Sequence, residues 1–322
     1  MTQKIATILG GTGFVGRQVV RALAKLGYRV KVATRVPERA YFLRPGGVVG
    51  QIVPVVCRYD APASIEAVIA GSQVVVNCIG ILFEKGKRQN FKQAHIDIPE
   101  WVAQACVRQR VERLVHISAM GIEKSSSDYA KTKLAGEAGV LNACPYATIL
   151  QPSVIFGEDD NFFNMFARMA QIMPFLPLIG GGKTRFQPVY VGDVADAVIA
   201  ALTLPAFGPQ NPQGQTYALG GPEVLDFRQI YERLFREIGF SRPLVTISFD
   251  FARMQGCLFE MLMPRPLLTA DQVESLKADS VASPGMPGFA ALGLTPRSLD
   301  VILPTYLVAY RPGGRFGDKK AA

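Results

Sequence analysis

The sequence predicts a doubly wound parallel α/β sheet with a smaller C-terminal lobe. Three observations predict it. Short Val/Ile runs alternate with helical patterns through the first 150 residues. Those runs are continuously apolar rather than alternating, so both faces of each strand are covered. A glycine-rich turn, "GGTGFVG", joins the first strand to the first helix. "KIATIL" is the first strand, followed by a helix over 15–26. "RVKVAT", "QIVPVV" and "QVVVNCI" are the next three strands. A helix over 98–108 leads to the fifth strand, "RLVHIS", and one starting near Tyr129 leads to the sixth, "YATILQ".

Past residue 150 Pro and Gly become frequent, as in "MPFLPLIGGGK", and helical patterns recur at 193–203, 226–239, 249–263 and 269–277. The expected organisation is an α/β domain over 1–155, then the last strands interleaved with a smaller lobe over 156–310. An exposed basic tail follows over 311–322, with Arg311, Arg315, Lys319 and Lys320 against Asp318.

The 322 residues are 49% hydrophobic and 19% charged, which suits a buried core and excludes disorder. No run of about 18 uninterrupted apolar residues is present, so no transmembrane helix is expected. The first strand begins at Lys4, so no secretory or transit segment is expected. Cys57, Cys78, Cys106, Cys144 and Cys257 are scattered and lack metal-ligand spacing; they read as free thiols in a reducing compartment, and no metal site is expected. The net charge of +9 permits an anionic cofactor, an acidic partner or an anionic membrane surface. Nucleic acid is not an expected partner, because no helix-turn-helix and no basic stripe interleaved with aromatics is present.

In "ILGGTGFVG", Gly10, Gly13 and Gly16 are spaced G-x-x-G-x-x-G between a strand and a helix. That arrangement allows a tight turn, close approach to a pyrophosphate and close helix–strand packing, with the helix N-terminus facing the phosphates. An NAD site places an acidic residue near the end of the second strand. Here "VATRVPER" supplies Arg35, with Arg39 nearby, which favours a 2′-phosphate and hence NADPH over NAD. Asp60 in "CRYDAP" is positioned to bond the adenine amine, and Cys78, Ile79 and Gly80 in "NCIG" let backbone line the cofactor.

The order of the glycine motif, "NCIG", "HISA", Tyr-x-x-x-Lys, "QPSVIFG" and "PVYVGDVADAV" resembles the extended or atypical short-chain dehydrogenase/reductases, a Rossmann-fold group that includes NAD-dependent epimerases and dehydratases. More narrowly, "GTGFVGR", "LRPGGVVGQ", "SSSDYAKTKLAGE", "PSVIFGEDDNFFNMFARM", "QPVYVGDVADA" and "LTADQVESLKADSV" are similar to the alpha-subcomplex subunit 9 family of NADH:ubiquinone oxidoreductase, an accessory subunit of respiratory complex I. That resemblance implies tightly bound NADPH contacted by Gly10, Thr12, Gly13, Phe14, Val15, Gly16, Arg35, Asp60, Cys78, Ile79, Gly80, Ser118, Tyr129, Lys133, Pro152 and Ser153. It also implies other complex I subunits as partners and a supporting role near the junction of the two arms. With a start methionine just before the first strand, it suggests a bacterial version at the cytoplasmic face of the inner membrane; the mitochondrial matrix side would be the eukaryotic counterpart.

Tyr129 and Lys133 share one helix face. In working members of the superfamily the lysine bonds the nicotinamide ribose and lowers the tyrosine pKa. The candidate catalytic set is therefore Tyr129, Lys133 and Ser118. Alignment of "VHISAMGIEK" puts Ala119 or Met120 where the working hydroxyl sits, and Gln151 stands where many extended members carry arginine. Ser125, Ser126 and Ser127 either fold back to substitute or cap the helix. His116 and His95 read as core and capping residues rather than general bases. No turnover is expected; the alternative is an active NADP-dependent reductase or epimerase acting on a sugar nucleotide or quinone-like carbonyl. "FDFARMQGCLFEMLM" and "NMFARMAQIMPFLPL" are each either core helices of the lobe or adaptable Met/Phe surfaces for a partner or membrane.

Overall fold

The computed structural model describes residues 4–86 and 89–314. Its first half runs β1 (Ile5–Leu9), α1 (Phe14–Lys25), β2 (Arg29–Thr34), β3 (Ile52–Val56), α2 (Pro62–Ile69) and β4 (Val74–Asn77). Then come α3 (Ile98–Arg108), β5 (Arg113–Ile117), α4 (Asp128–Ala143) and β6 (Thr148–Pro152). The second half opens with β7 (Ile155–Phe156), α5 (Phe163–Ile172), β8 (Leu176–Ile179), β9 (Arg185–Phe186), β10 (Val189–Tyr190) and α6 (Val191–Thr203). It closes with β11 (Thr216–Leu219), β12 (Leu225–Asp226), α7 (Phe227–Ile238), β13 (Leu244–Ile247), α8 (Phe249–Leu262), α9 (Ala270–Ser275) and α10 (Leu299–Leu307).

Seven parallel strands form the main sheet in the order β3-β2-β1-β4-β5-β6-β11. The direction of winding reverses between β1 and β4, which opens a crevice at the carboxyl ends of the strands. The strands carry Val, Ile and Leu on both faces because helices cover both. One core lies between the sheet and α1 and α6, including Ile8, Val32, Val76, Val115 and Val198. The other lies beneath α2, α3 and α4, including Leu9, Val75, Leu114, Ile149 and Val140. A third core belongs to the second half and is aromatic, with Phe156, Phe163, Phe166, Phe227 and Tyr231.

Two of the distinctive sequence motifs are structural devices. In "LRPGGVVGQ", the buried Gln51 amide donates to the carbonyls of Ala24 and Tyr28 (2.6 and 3.0 Å) and accepts from the Val48 N–H (2.9 Å), pinning the loop to the end of α1. In "IFGEDDNFFN", buried Asp160 accepts from the N–H groups of Gly157, Phe162 and Asn164 (2.9–3.0 Å) and from the Tyr306 hydroxyl (2.8 Å). One carboxylate thus starts α5 and ties it to α10.

The expected strands and helices are present within one or two residues. Helix α2 was not foreseen, because eight residues give too short a period to read. A π-type turn over Lys92–Asp97 feeds α3, and no local signal announced it. Most of the expected basic tail lies outside the described residues. Arg311 departs from that expectation: its side chain is 11% exposed and bonds the Glu237 carbonyl (2.7 Å) and carboxylate (3.3 Å). An ion pair that closes the last turn of α7 holds it down. Of the cysteines, Cys57, Cys106 and Cys144 are buried, Cys78 is half-buried and Cys257 is exposed, all as free thiols.

Helix α4 sits unusually close to the segment before α3. A Cβ added at Gly136 would lie 1.8 Å from the His95 carbonyl oxygen. Gly136→Ala should therefore push α4 off the sheet and cost about 3 kcal/mol or more. In urea unfolding this appears as a lower midpoint at unchanged slope; an unmoved midpoint would show that this contact does not seat the helix.

Candidate functional site

The glycine turn closes between β1 and α1 with a bond from the Gly13 N–H to the Gly10 carbonyl (3.0 Å). Gly10 has φ +75°, and a Cβ there would meet the Cys78 carbonyl carbon at 2.8 Å. A Cβ at Gly16 would lie 2.2 Å from the Gly10 oxygen. Both positions therefore require glycine, and the turn presses flat against the end of β4. No side chain caps α1, so the first-turn N–H groups of Phe14, Val15 and Gly16 remain for an anion. Thr12 and Gly13 form the outer lip of this turn, half-buried and exposed respectively.

Arg35 follows directly on β2 and is exposed, as is Arg39. Among the described residues no carboxylate pairs with either. Tyr59, which sequence reading missed, bonds the Ala33 carbonyl through its hydroxyl (2.7 Å) and walls the space between β2 and the glycine turn. Asp60 lies on the open turn before α2, exposed, 3.5 Å from Arg58. These residues fit the adenosine half of a dinucleotide: a Cβ-free floor, uncapped amides, an aromatic wall and unpaired guanidinium groups.

Across the crevice, Lys133 is 4% exposed and reaches from α4 to the ends of β4 and β5. Its ammonium donates to the Ile117 carbonyl (3.1 Å), and a Cβ at Gly80 would lie 3.4 Å from its Nζ. Burial lowers its pKa to about 8, against the pull of Glu137 and Cys78. Burial also pushes the Cys78 thiol up to about 12 despite that ammonium. Glu137 is itself buried and raised, and both its oxygens accept from the Gln151 amide (2.8 and 3.0 Å). Gln151 therefore serves the underside of α4 rather than a ligand.

Two neutral histidines complete the interior. The Asn77 Oδ1 accepts from the Ile79 N–H (3.1 Å), so its amide nitrogen faces His116 Nδ1 (3.1 Å). His116 accordingly carries its proton on Nε2, a buried donor with no partner among the described residues. His95 Nε2 accepts from the Ile81 N–H (3.2 Å), which leaves Nδ1–H for Thr132 (3.1 Å). The acceptor nitrogen a general base needs is already used, and burial depresses the His95 pKa to about 3. Burial likewise drives His116 well below its ordinary value.

Tyr129 stands edge-on to His95 (5.2 Å) and Phe91 (6.0 Å). Burial, with the Asp271 carboxylate second, pushes its phenol up to about 12, opposite to the shift a proton donor of this type needs. Ser118 is buried beside Glu137, and among the described residues its hydroxyl has no hydrogen bond of good geometry. Ala119 and Met120 follow it, and Met120 is buried with its N–H on the Pro152 carbonyl (3.0 Å), so no hydroxyl fills that place. Ser127 caps α4 by accepting from the Ala130 N–H (3.1 Å), the capping role rather than the catalytic one. Ser153 donates to the Ser280 carbonyl (2.7 Å) and accepts from the Gln187 N–H (3.2 Å), so its hydroxyl is taken; Pro152 is buried beside it. Among the described residues no cluster could hold a metal ion, and no helix is long and apolar enough to cross a membrane.

Residues 6–220 match the NAD dependent epimerase/dehydratase family, and the chain belongs to it. Within that class it is similar to NADH dehydrogenase (ubiquinone) 1 alpha subcomplex subunit 9, mitochondrial, of Arabidopsis thaliana: 35% identical over 96% of this chain and 79% of that one. The Mus musculus protein of the same name is 33% identical over 92% of this chain and 78% of that one. In fold it is similar to an NADPH-dependent quinone oxidoreductase of Escherichia coli solved with NADPH, at TM-score 0.70 and 16% identity, covering 94% and 98% of the two chains.

The histidine environments set a pH dependence. Each imidazole is neutral when folded and takes up a proton near pH 6.5 only when unfolded, so stability falls as pH drops below that value. Between pH 6.5 and 5 each should remove about 2 kcal/mol. Urea titrations at pH 7 and 5 measure the sum, and His95→Gln should remove about half of the difference.

Proposed function

We propose that this chain is a non-catalytic accessory subunit of respiratory complex I that holds NADPH as a structural ligand and supports assembly near the junction of the arms. The observation that carries the reading is similarity over nearly the whole chain to proteins named as that subunit. The site agrees with it. Gly10, Gly13, Gly16, Arg35 and Lys133 suit a phosphate-bearing nucleotide, while Ala119 and Met120 follow Ser118 where the working hydroxyl is expected and the Tyr129 pKa is raised rather than lowered. A ligand bound only by the folded state stabilises it by mass action.

Helix α8 supports a peripheral contact. Of its 14 residues only Ala252 and Gly256 are buried, whereas Phe251, Met254, Leu258, Met261 and Leu262 are 47–76% exposed. That overturns the core-helix alternative for this stretch and leaves an adaptable apolar face for other subunits or an anionic membrane surface. By contrast, Phe163, Phe166, Ala167 and Ala170 of α5 are core, and its large apolar exposure is confined to Ile172 and, just beyond the helix, Phe175.

The retained pair of Tyr129 and Lys133 favours a second reading, an NADP-dependent reductase or epimerase. The nicotinamide would supply or accept hydride there, and Tyr129 would move the proton. It requires substrate-dependent NADPH oxidation that Tyr129→Phe abolishes. Affinity purification from native membranes tests the first reading: recovery with complex I subunits and bound NADPH is expected, and recovery alone would overturn it. Arg35→Glu should weaken NADPH binding by about tenfold or more and leave NAD binding little changed. Fluorescence titration of the two nucleotides reads this directly.

A further inference from the structure

The first turn of α4 has N–H groups that its own helix cannot satisfy. Ser127 takes that of Ala130. Those of Asp128 and Tyr129 donate to the two oxygens of Asp271, at 2.6 and 3.1 Å, across 143 and 142 residues of sequence. A carboxylate there is favoured both as a cap and by the helix dipole. Asp271 is no isolated contact, since it sits on α9, whose own start is fixed by a capping box between Thr269 and Gln272.

The chain on from α9 is stitched along the same border. The Ser126 hydroxyl donates to Glu274 (2.6 Å), and Lys124 to the Ser283 hydroxyl (3.0 Å). Gly121, at φ +78°, lies so close that a Cβ would be 2.5 Å from the Asp279 carbonyl oxygen. Ser280 meets Ser153 at the end of β6, while Asp279 is gripped by Arg185 at 2.8 and 2.9 Å. Residues 269–283 thus cross the loop joining β5 to α4, the exit of β6 and the β9 region. At the first of these, Asp271 lies against Tyr129 itself, bonding its N–H and acting on its phenol.

Polar groups make this seam, and within α9 only Val273 is buried. A segment fastened this way opens at lower free energy than the apolar core beneath it. We propose that residues 269–283 are a latch over the β5–α4 end of the cleft, with Asp271 as its catch, and that nucleotide leaves only when the latch opens. This rests on the nucleotide-holding role, since the part retained would be the nicotinamide half beside Tyr129 and Lys133.

The test combines hydrogen exchange by mass spectrometry with NADPH release, followed by fluorescence after a chase with excess unlabelled nucleotide. Wild type is compared with Asp271→Ala and with the milder Glu274→Gln, which keeps the test open should the first fold poorly. Asp271→Ala is expected to speed exchange in 120–134 and 269–283 together by about tenfold, and NADPH release by a similar factor. Glu274→Gln should move both in the same direction by less. Faster exchange in 269–283 with 120–134 still protected would show that Asp271 is no catch. Faster exchange in both with unchanged release would show that the latch guards nothing. A wild-type protein that binds no NADPH would sink the nucleotide-holding role instead, and the paired exchange would then decide alone whether the two segments open as one.

Discussion

Lys133 carries a positive charge into the interior between the ends of β4 and β5, where among the described residues it bonds the Ile117 carbonyl and feels the Glu137 carboxylate. Burying an ammonium is tolerated only when its surroundings are arranged around it. The polar groups of this part of the protein follow from that constraint. His116, paired with Asn77, and His95 are held neutral first by burial and second by repulsion from this ammonium. Glu137 stays within reach but is occupied by Gln151 rather than by the lysine. The close seating of α4 at Gly136 brings the ammonium to this depth.

Under the proposed role, the same arrangement accounts for a familiar pair of residues that does not serve as a reaction centre. A tyrosine that donates a proton near neutral pH needs its phenolate stabilised. Here burial and the Asp271 carboxylate both act against the phenolate. A hydroxyl to polarise a carbonyl is missing after Ser118, since Ala119 and Met120 occupy that stretch and Met120 is committed to pairing with Pro152. The histidines offer no replacement, because each has its acceptor nitrogen engaged.

Most of the sheet was legible in the sequence because its inner strands are buried on both faces and most of its helices amphipathic, so composition and period carried the pattern. The glycine turn was legible for a different reason: at Gly10 and Gly16 no other residue fits, and the chain must show it. Asp60 was readable only as a residue type after a strand, and its exposed place beside Arg58 depends on a turn with no signature. The roles of Tyr59 and Asp271, and the bond from Tyr306 to Asp160, escaped because those partners lie 26 to 146 residues away, and a pairwise contact at that range leaves no local period. Helix α8 shows the converse limit. Its apolar residues looked equally fit for a core, and only the fold reveals that among the described residues they remain largely exposed.

A cleft built this way carries a cost in the folded chain. Lowering the Lys133 pKa to about 8 corresponds to roughly 3 kcal/mol of unfavourable environment for its charge. Arg35 and Arg39 add unpaired positive charge at the opposite end. A ligand bearing phosphates and ribose hydroxyls offsets both, so affinity for it and stability of the fold would draw on the same residues. Selection for a stable subunit then suffices to preserve the grip. It places no demand on a hydroxyl at Ala119 or Met120 or on an acidic Tyr129, and under the proposed role those are the features free to lapse.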